Sequence, residues 1–257
     1  MIRSWLDLPA PGIFGVLCVL YFGTVSLLVL LVFHSPFKRH VGWFTGIVPP
    51  YINSVAVLFA LLTGFLANDI SDRNRQSVHA VQVEAVELRN VYTLSIASAP
   101  DMSHIRAKWR TYVDSVVRQE WPAMENGLVS TETYTAYDDL LREVSNPEIG
   151  QSAGQAVNAA LLGAAVRAGT ARSERLALAS GITNDLKWLV VLILGVFTQL
   201  TLALVHIENK RAFMTSLVVF SSAVVVTLGI IALQEYPFSG PLQVAPDSIA
   251  ALLSLHG

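Results

Sequence analysis

The chain has 257 residues, of which 53% are hydrophobic and only 14% are charged, and its mean hydropathy is +0.52. A soluble domain usually carries about 25% charged residues, so this composition excludes an ordinary soluble protein and indicates a membrane protein. The formal net charge of −2 excludes the strongly basic field typical of nucleic-acid binding, and a single cysteine, Cys18, excludes an intrachain disulfide framework.

Four apolar stretches approach the length of about 20 residues that a helix needs to cross a bilayer. In chain order they are Ile13–Phe33, Tyr51–Ala67, Leu186–Ile207 and Ala212–Gln234. The first lacks the small-x-small cleavage site of a secretory signal peptide, so we predict that it is a span. The predicted fold class is an all-α membrane protein with four transmembrane helices and a helical extramembrane domain between helices 2 and 3.

The domain organisation follows from the position of the polar residues. Residues 1–67 are predicted to hold helices 1 and 2, residues 68–185 a helical domain, and residues 186–257 helices 3 and 4 with a short C-terminal tail. Only one glycine and no proline interrupt the chain between Tyr51 and Glu87, which favours a single long helix that begins in lipid and continues in water.

Two neighbouring faces of the second span carry distinct patterns. Small residues recur every fourth position at Ala56, Ala60 and Gly64, which is the pattern of a ridge that lets helix backbones approach closely. A second stripe is formed by apolar and amide side chains, namely Asn53, Val57, Leu61 and Phe65. Two interpretations of this second stripe stay open: helix packing, or an apolar pore constriction made by Val57, Leu61 and Phe65 that gates by dewetting.

Polar residues stand at both ends of the second stripe. Asn53 would lie at the outer mouth of such a pore, and Asn68, Asp69 and Asp72 would lie at its inner mouth. An acidic ring at the inner mouth would favour cations, whereas the alternative is that these residues mark a helix interface.

A further group of charges is predicted to form ion pairs within the helical domain. Arg172 and Arg175 share one helix face, and we hypothesise that they meet the acidic pair Glu84 and Glu87. No catalytic nucleophile motif, phosphate-binding loop or metalloprotease motif occurs, so we expect neither enzymatic activity nor a cofactor or metal. Asp101 and His104 have helical spacing, but two ligands rarely make a metal site.

Four spans place both termini and the helical domain on one side of the membrane. Basic residues divide between the two sides, with Lys38, Arg39, Lys210 and Arg211 in the opposite loops and Arg3, Arg73, Arg75, Arg172, Arg175 and Lys187 on the domain side. This balance favours a cytoplasmic helical domain, in a multi-pass protein of the cell (inner) membrane.

Several motifs resemble a known family. Gly64-Phe65 followed by Asn68 and Arg73 resembles the Gly-Phe-Arg-Asn pattern of bestrophins, whose apolar neck positions match Val57, Leu61 and Phe65. A bacterial membrane family called bestrophin-like shares more of the chain, through Glu84-Ala85-x-x-Leu88, Tyr112, Glu120-Trp121, Arg172-x-x-Arg175-Leu176 and Pro237-Phe-x-Gly240. This resemblance spans nearly the whole sequence.

The resemblance implies a homo-oligomer, pentameric in bestrophins, that surrounds an ion pore. Leu66 replaces the arginine of the bestrophin pattern, and no acidic calcium clasp follows the fourth span, so neither calcium gating nor charge selectivity carries over. The favoured function is an oligomeric channel that conducts small ions through a pore lined by the second span. The alternative is a non-conducting scaffold or sensor whose cytosolic helices bind a partner. A transporter is disfavoured because the sequence shows no internal repeat and no charge well inside a span.

Overall fold

The structure is a computed structural model that describes residues 2–34, 50–98, 100–180 and 185–255. Within these ranges it is helical without strands, which confirms the predicted all-α class. The α-helices are α1 Ile2–Leu6, α2 Ala10–Val29, α3 Pro50–Ala97, α4 Ser103–Ser115, α5 Trp121–Glu125, α6 Thr131–Val144, α7 Pro147–Ser152, α8 Gln155–Ser180, α9 Asp185–Val205, α10 Lys210–Ala232 and α11 Asp247–Ala250. Lys38 and Arg39, which entered the orientation argument, lie outside the described residues.

Short helical turns of other types extend three of these helices. Single π-helical turns continue α2 through Leu30–His34 and α4 through Val116–Glu120, and a 3-10 turn, Ala251–Ser254, follows α11. Within the described ranges, four helical segments are long and apolar enough to cross a membrane, which agrees with the predicted number of spans: Ala10–Phe33, Asn53–Ala97, Asp185–Val205 and Lys210–Ala232.

The chain divides into two compact units. The first contains Met1–Ser71 and Ile182–Glu235, and the second contains Asp72–Gly181 and Tyr236–Gly257. The long helix α3 crosses this division, so its first part belongs to one unit and its second part to the other.

In the first unit, α2, α9 and α10 pack against one another and bury the side chains of Leu17, Tyr21 and Phe213. Close approach depends on glycine at Gly195, because a Cβ at this position would collide with the Tyr21 ring. Lipid supplies no hydrophobic driving force between helices. Close van der Waals contact and buried hydrogen bonds therefore hold these helices together.

In the second unit, α4, α6 and α8 surround an apolar core that includes Trp109, Tyr112, Leu140 and Leu161. The start of α6 is fixed by Ser130, whose Oγ accepts a hydrogen bond of 3.2 Å from the Thr133 backbone N–H. Asn146 caps α7 in the same way, ahead of the proline that starts it.

The C-terminal tail is part of this second unit. Phe238, Ile249 and Leu252 lie in its core, and the Trp121 indole donates a hydrogen bond of 3.2 Å to the Val244 carbonyl. The predicted organisation grouped residues 186–257 together, whereas the structure assigns Tyr236–Gly257 to the same unit as the helical domain. The physical reason is the burial of apolar tail side chains, which the short length of the tail concealed.

Candidate functional site

The apolar stripe of the second span lies on an exposed face of α3. Val57, Leu61 and Phe65 are 63%, 52% and 58% exposed, respectively. At about 3.6 residues per turn, Leu66 and Ile70 fall on the roughly opposite face, and each is only 1% exposed. Helix α3 therefore packs in the first unit through Leu66 and Ile70 and leaves the predicted constriction residues uncovered.

A shallow groove of about 610 Å³ runs along this exposed face. Its lining combines the apolar stripe, two residues of the small-residue ridge and one amide: Val57, Ala60, Leu61, Gly64, Phe65 and Asn68. A Cβ built on Gly64 would meet nothing within 4 Å among the described residues beyond its own helix, and Ala56 is half-buried. Ridge and stripe are thus adjacent surfaces, and the uncovered part of the ridge is Ala60 and Gly64, farther from Asn53 than Ala56 is.

The polar residues at the two ends of the stripe have different surroundings. Asn53 and Asn68 are exposed, and Asn68 lines the groove. Asp69 forms an ion pair with Lys187 of α9, and Asp72 forms one with Arg75 on its own helix. Each of the two carboxylates expected to form an acidic ring therefore has a basic partner, which removes most of its net field at a distance.

A separate cluster of charged residues lies at the centre of the second unit, and we call it the buried charge cluster: Glu84, Glu120, Arg172 and Arg175. The Glu84 carboxylate accepts hydrogen bonds of 2.7 Å from Arg175 Nε and 3.1 Å from Arg175 Nη2. Arg175 Nη2 also donates at 2.7 Å to Glu120 Oε1, so one guanidinium bridges two carboxylates. Arg172 Nε pairs with Glu120 at 3.0 Å, which completes a neutral set of two acids and two bases.

Aromatic side chains enclose this cluster. The Arg175 guanidinium lies 4.9 Å from the centre of the Trp121 ring, and that of Arg172 lies 4.1 Å from the centre of the Tyr134 ring. The Tyr112 hydroxyl donates a hydrogen bond of 2.9 Å to Glu84 Oε1. The two ring contacts stabilise the guanidinium groups, which have lost their water, through the negative face of each ring.

Burial and the charge of Glu84 together determine the protonation of Tyr112 and Arg175. It raises the pKa of the Tyr112 phenol well above its usual range, and the neighbouring Glu84 charge adds to the shift. Burial alone would lower the pKa of Arg175, but the charge of Glu84 and its hydrogen bonds outweigh that effect and raise it. Tyr112 therefore remains a neutral hydrogen-bond donor and Arg175 remains charged at any physiological pH.

The structure brings only part of the predicted charge group together. Glu84 meets Arg175, whereas Arg172 pairs with Glu120 and Glu87 pairs with Arg167 at 2.8 Å near the surface. Residue-level reasoning missed Glu120 as a shared acceptor. A signal was present, because Glu120 falls four residues after Val116 on the apolar face of α4 and its π turn.

A second polar network is buried in the first unit, and the sequence analysis did not identify its central residue, Gln199. The Gln199 amide of α9 donates hydrogen bonds of 3.0 Å to the Tyr21 carbonyl and 2.8 Å to Ser221 Oγ. Its oxygen accepts from Thr24 Oγ1. One glutamine therefore joins α2, α9 and α10, and its presence within an apolar run was the only sequence signal.

Among the described residues, no three His, Cys, Asp or Glu side chains are arranged to hold a metal ion. Asp101 and His104 have different partners, since His104 lies 3.3 Å from Glu143 and Asp101 accepts hydrogen bonds from Ser103 and Arg106.

Comparison with solved structures gives the same architecture. The crystal structure of one variant of a bacterial bestrophin homolog from Klebsiella pneumoniae matches with a TM-score of 0.67 at 11% identity, covering 92% of this chain and 96% of that chain. A second variant of that homolog matches with a TM-score of 0.70 at 11% identity, covering 91% and 94% of the two chains. The likeness at such low identity establishes the fold.

Sequence comparison identifies the family. No curated protein matches the chain, but the family model of the Bestrophin-like domain matches residues 19–249. This range includes α3, the buried charge cluster and most of the C-terminal tail, so the resemblance noted in the sequence is confirmed. The chain is a member of the bestrophin-like family and has the bestrophin fold.

Proposed function

We propose that copies of this chain assemble into a ring in the membrane and conduct small ions through a pore lined by α3. The observation that carries the proposal is the exposed apolar stripe of Val57, Leu61 and Phe65, on the face of α3 opposite to its buried contacts. By resemblance to bestrophins the ring is a pentamer. The distribution of basic residues supports a helical domain in the cytoplasm, with the ring in the cell (inner) membrane.

The chemistry of the stripe suits a gate. Rings of apolar side chains around a narrow pore disfavour continuous water, so that small changes in width switch between dry and wet states. Asn53 and Asn68 stand at the two ends of the stripe and supply amide groups where an ion would regain water. In this arrangement Val57, Leu61 and Phe65 form the constriction, with Asn53 at the outer mouth and Asn68 at the inner mouth.

The neighbouring ridge supports the assembly step. Ala56, Ala60 and Gly64 present little side-chain volume, and Gly64 has open space above it. Small residues at every fourth position let helices from different subunits approach closely in lipid. We assign the ridge to contact between adjacent α3 helices, which would turn each stripe towards a common axis.

The test is ion flux through purified protein in liposomes, with wild type compared with Leu61→Ala and Phe65→Ala. Trimming a constriction widens it and makes wetting easier, so both variants should raise the flux. Matched controls are Leu27→Ala on α2 and Phe197→Ala on α9, which change the same residue types at similar exposure, 55% and 51%. Lipid-facing positions should leave the flux unchanged.

Each outcome has a clear meaning. Increased flux in the Leu61 and Phe65 variants alone supports a pore lined by α3. Equal effects in the control variants would indicate a general change in the membrane part and would contradict the assignment. Absence of flux in wild type and in all variants, together with a monomer or dimer in detergent, would favour a non-conducting scaffold or sensor whose helical domain binds a partner.

A further inference from the structure

The first turn of α9 is held in place by two contacts of Trp188. Trp188 is fully buried, and its Nε1 donates a hydrogen bond of 3.0 Å to Glu235 Oε2. The Trp5 ring packs edge-on against Trp188 with 5.3 Å between the ring centres. Because Trp188 is anchored in this way, the backbone of the preceding residue, Lys187, is also fixed in position.

The segment of α3 that faces Lys187 is fixed as well. Leu66 and Ile70 are buried on either side of Asp69 along the chain, so they determine how α3 is rotated about its axis. This rotation turns Asn68 into the exposed groove, and the next residue, Asp69, forms the ion pair with Lys187. Two rigid supports therefore bring one acid and one base together.

The environment of this ion pair makes stabilisation a poor explanation for it. Its side chains are 41% exposed at Asp69 and 52% exposed at Lys187. Exposed pairs contribute little to folding free energy, because water screens the attraction and both side chains lose freedom. The field of the pair is a different matter, since a lone carboxylate acts on ions as a monopole, whereas a paired one acts as a much shorter-ranged dipole.

We propose that Lys187 sets the charge selectivity of the inner mouth by neutralising Asp69. The inference rests on the proposed function, because the pair affects permeation only if the stripe beside it lines a pore. It replaces the cation-selective acidic ring expected from the sequence with an internally compensated site. The native inner mouth then discriminates weakly between anions and cations at this position. When one partner of the pair is removed, the charge of the remaining side chain decides which ions are preferred.

The experiment measures the anion-to-cation permeability ratio from reversal potentials in bilayers under a salt gradient. Lys187→Gln leaves Asp69 unpaired and should lower the ratio, whereas Asp69→Asn leaves Lys187 unpaired and should raise it. Each change should be at least about twofold to threefold, the effect of one unit charge across roughly 8 Å of water. Both changes should grow at low ionic strength, where screening is weaker.

Two further variants make the test specific. The double variant Asp69→Asn with Lys187→Gln should return to a ratio near that of wild type, because it again carries no net charge. Lys210→Gln is the matched control, since it removes one lysine from the start of α10 and should leave the ratio unchanged. Elution as wild-type oligomer on gel filtration establishes that each variant is folded.

The outcomes separate this inference from the proposed function. Opposite shifts in the two single variants, with recovery in the double variant, support it. Conducting variants with an unchanged ratio, or shifts of the same sign, would overturn the role of the pair while leaving the pore intact. Absence of any flux through wild type would overturn the channel and this inference with it.

Discussion

Helix α3 shows opposite patterns of side-chain burial in the two units. In the first unit it exposes apolar residues such as Leu61 and Phe65, and in the second unit it buries the charged residue Glu84. The buried charge is satisfied inside the chain, because Arg175 and Tyr112 provide its hydrogen bonds. The exposed apolar face has no such partner among the described residues, so its role depends on what surrounds it.

The contrast shows which part of α3 makes its contacts within the described residues and which part does not. Burying an unpaired charge costs several kcal/mol, so Glu84 and its partners specify one arrangement of α3, α4 and α8. An apolar face in lipid costs almost nothing, so the exposed side chain of Leu61 contributes little to the stability of the fold. Variants on the two sides of this contrast should therefore differ in stability and in flux, respectively.

The largest expected effect is at Glu120, which pairs with both arginines of the cluster. Glu120→Ala leaves the buried Arg172 without its carboxylate and should lower the free energy of unfolding by about 3–5 kcal/mol. The measurement is thermal unfolding in detergent, followed by far-ultraviolet circular dichroism. Glu87→Ala is the control, because its partner Arg167 is 59% exposed and water screens this pair, which is worth about 0–1 kcal/mol. Similar losses in both variants would mean that burial does not govern these ion pairs.

The next effect compares two leucines on opposite faces of the same helix. Leu66→Ala removes a side chain that is 1% exposed and should destabilise the protein by about 2–5 kcal/mol. Leu61→Ala changes an exposed side chain and should alter stability by no more than about 0.5 kcal/mol. Unfolding midpoints of the purified proteins in detergent provide the comparison. An equally large loss at Leu61 would favour helix packing over a pore lining for that stripe.

The smallest effect concerns the pH dependence of the buried charge cluster. Tyr112→Phe removes one hydrogen bond to Glu84 and should cost about 1 kcal/mol near neutral pH. Because the pKa of Tyr112 is raised in the fold, its contribution is fully present below about pH 10, where the unfolded phenol ionises, and is lost as pH rises towards the folded pKa.

Unfolding midpoints measured from pH 8 upwards at about one-unit steps test this sign. The midpoint of Tyr112→Phe should fall less steeply in the alkaline range than that of wild type. Tyr134→Phe serves as the comparison, since Tyr134 is 48% exposed and phenylalanine keeps the ring that contacts Arg172. A steeper alkaline loss in the Tyr112 variant would contradict a buried neutral phenol.

Periodicity and composition predicted much of the fold for identifiable reasons. Long apolar runs have few structures available in a bilayer, so four spans and an all-helical class followed directly. The exposed stripe and the small-residue ridge were also visible, because they depend only on positions along one helix. The partners of the ion pairs were harder to predict from the sequence. Glu87 binds Arg167 rather than Arg172 or Arg175, and no spacing rule on α3 or α8 decides between them.

The sequence by itself determined the membrane class, the four spans, the long second helix and, through its motifs, the family. Only the tertiary structure decided that Glu120 pairs with two arginines, that Lys187 forms an ion pair with Asp69 and that the C-terminal tail packs in the second unit. The physical reason is the distance along the chain over which each interaction acts. Hydrophobic periodicity acts along a helix and is written in local spacing, whereas an ion pair depends on where distant helices meet, which the packing of the whole unit sets.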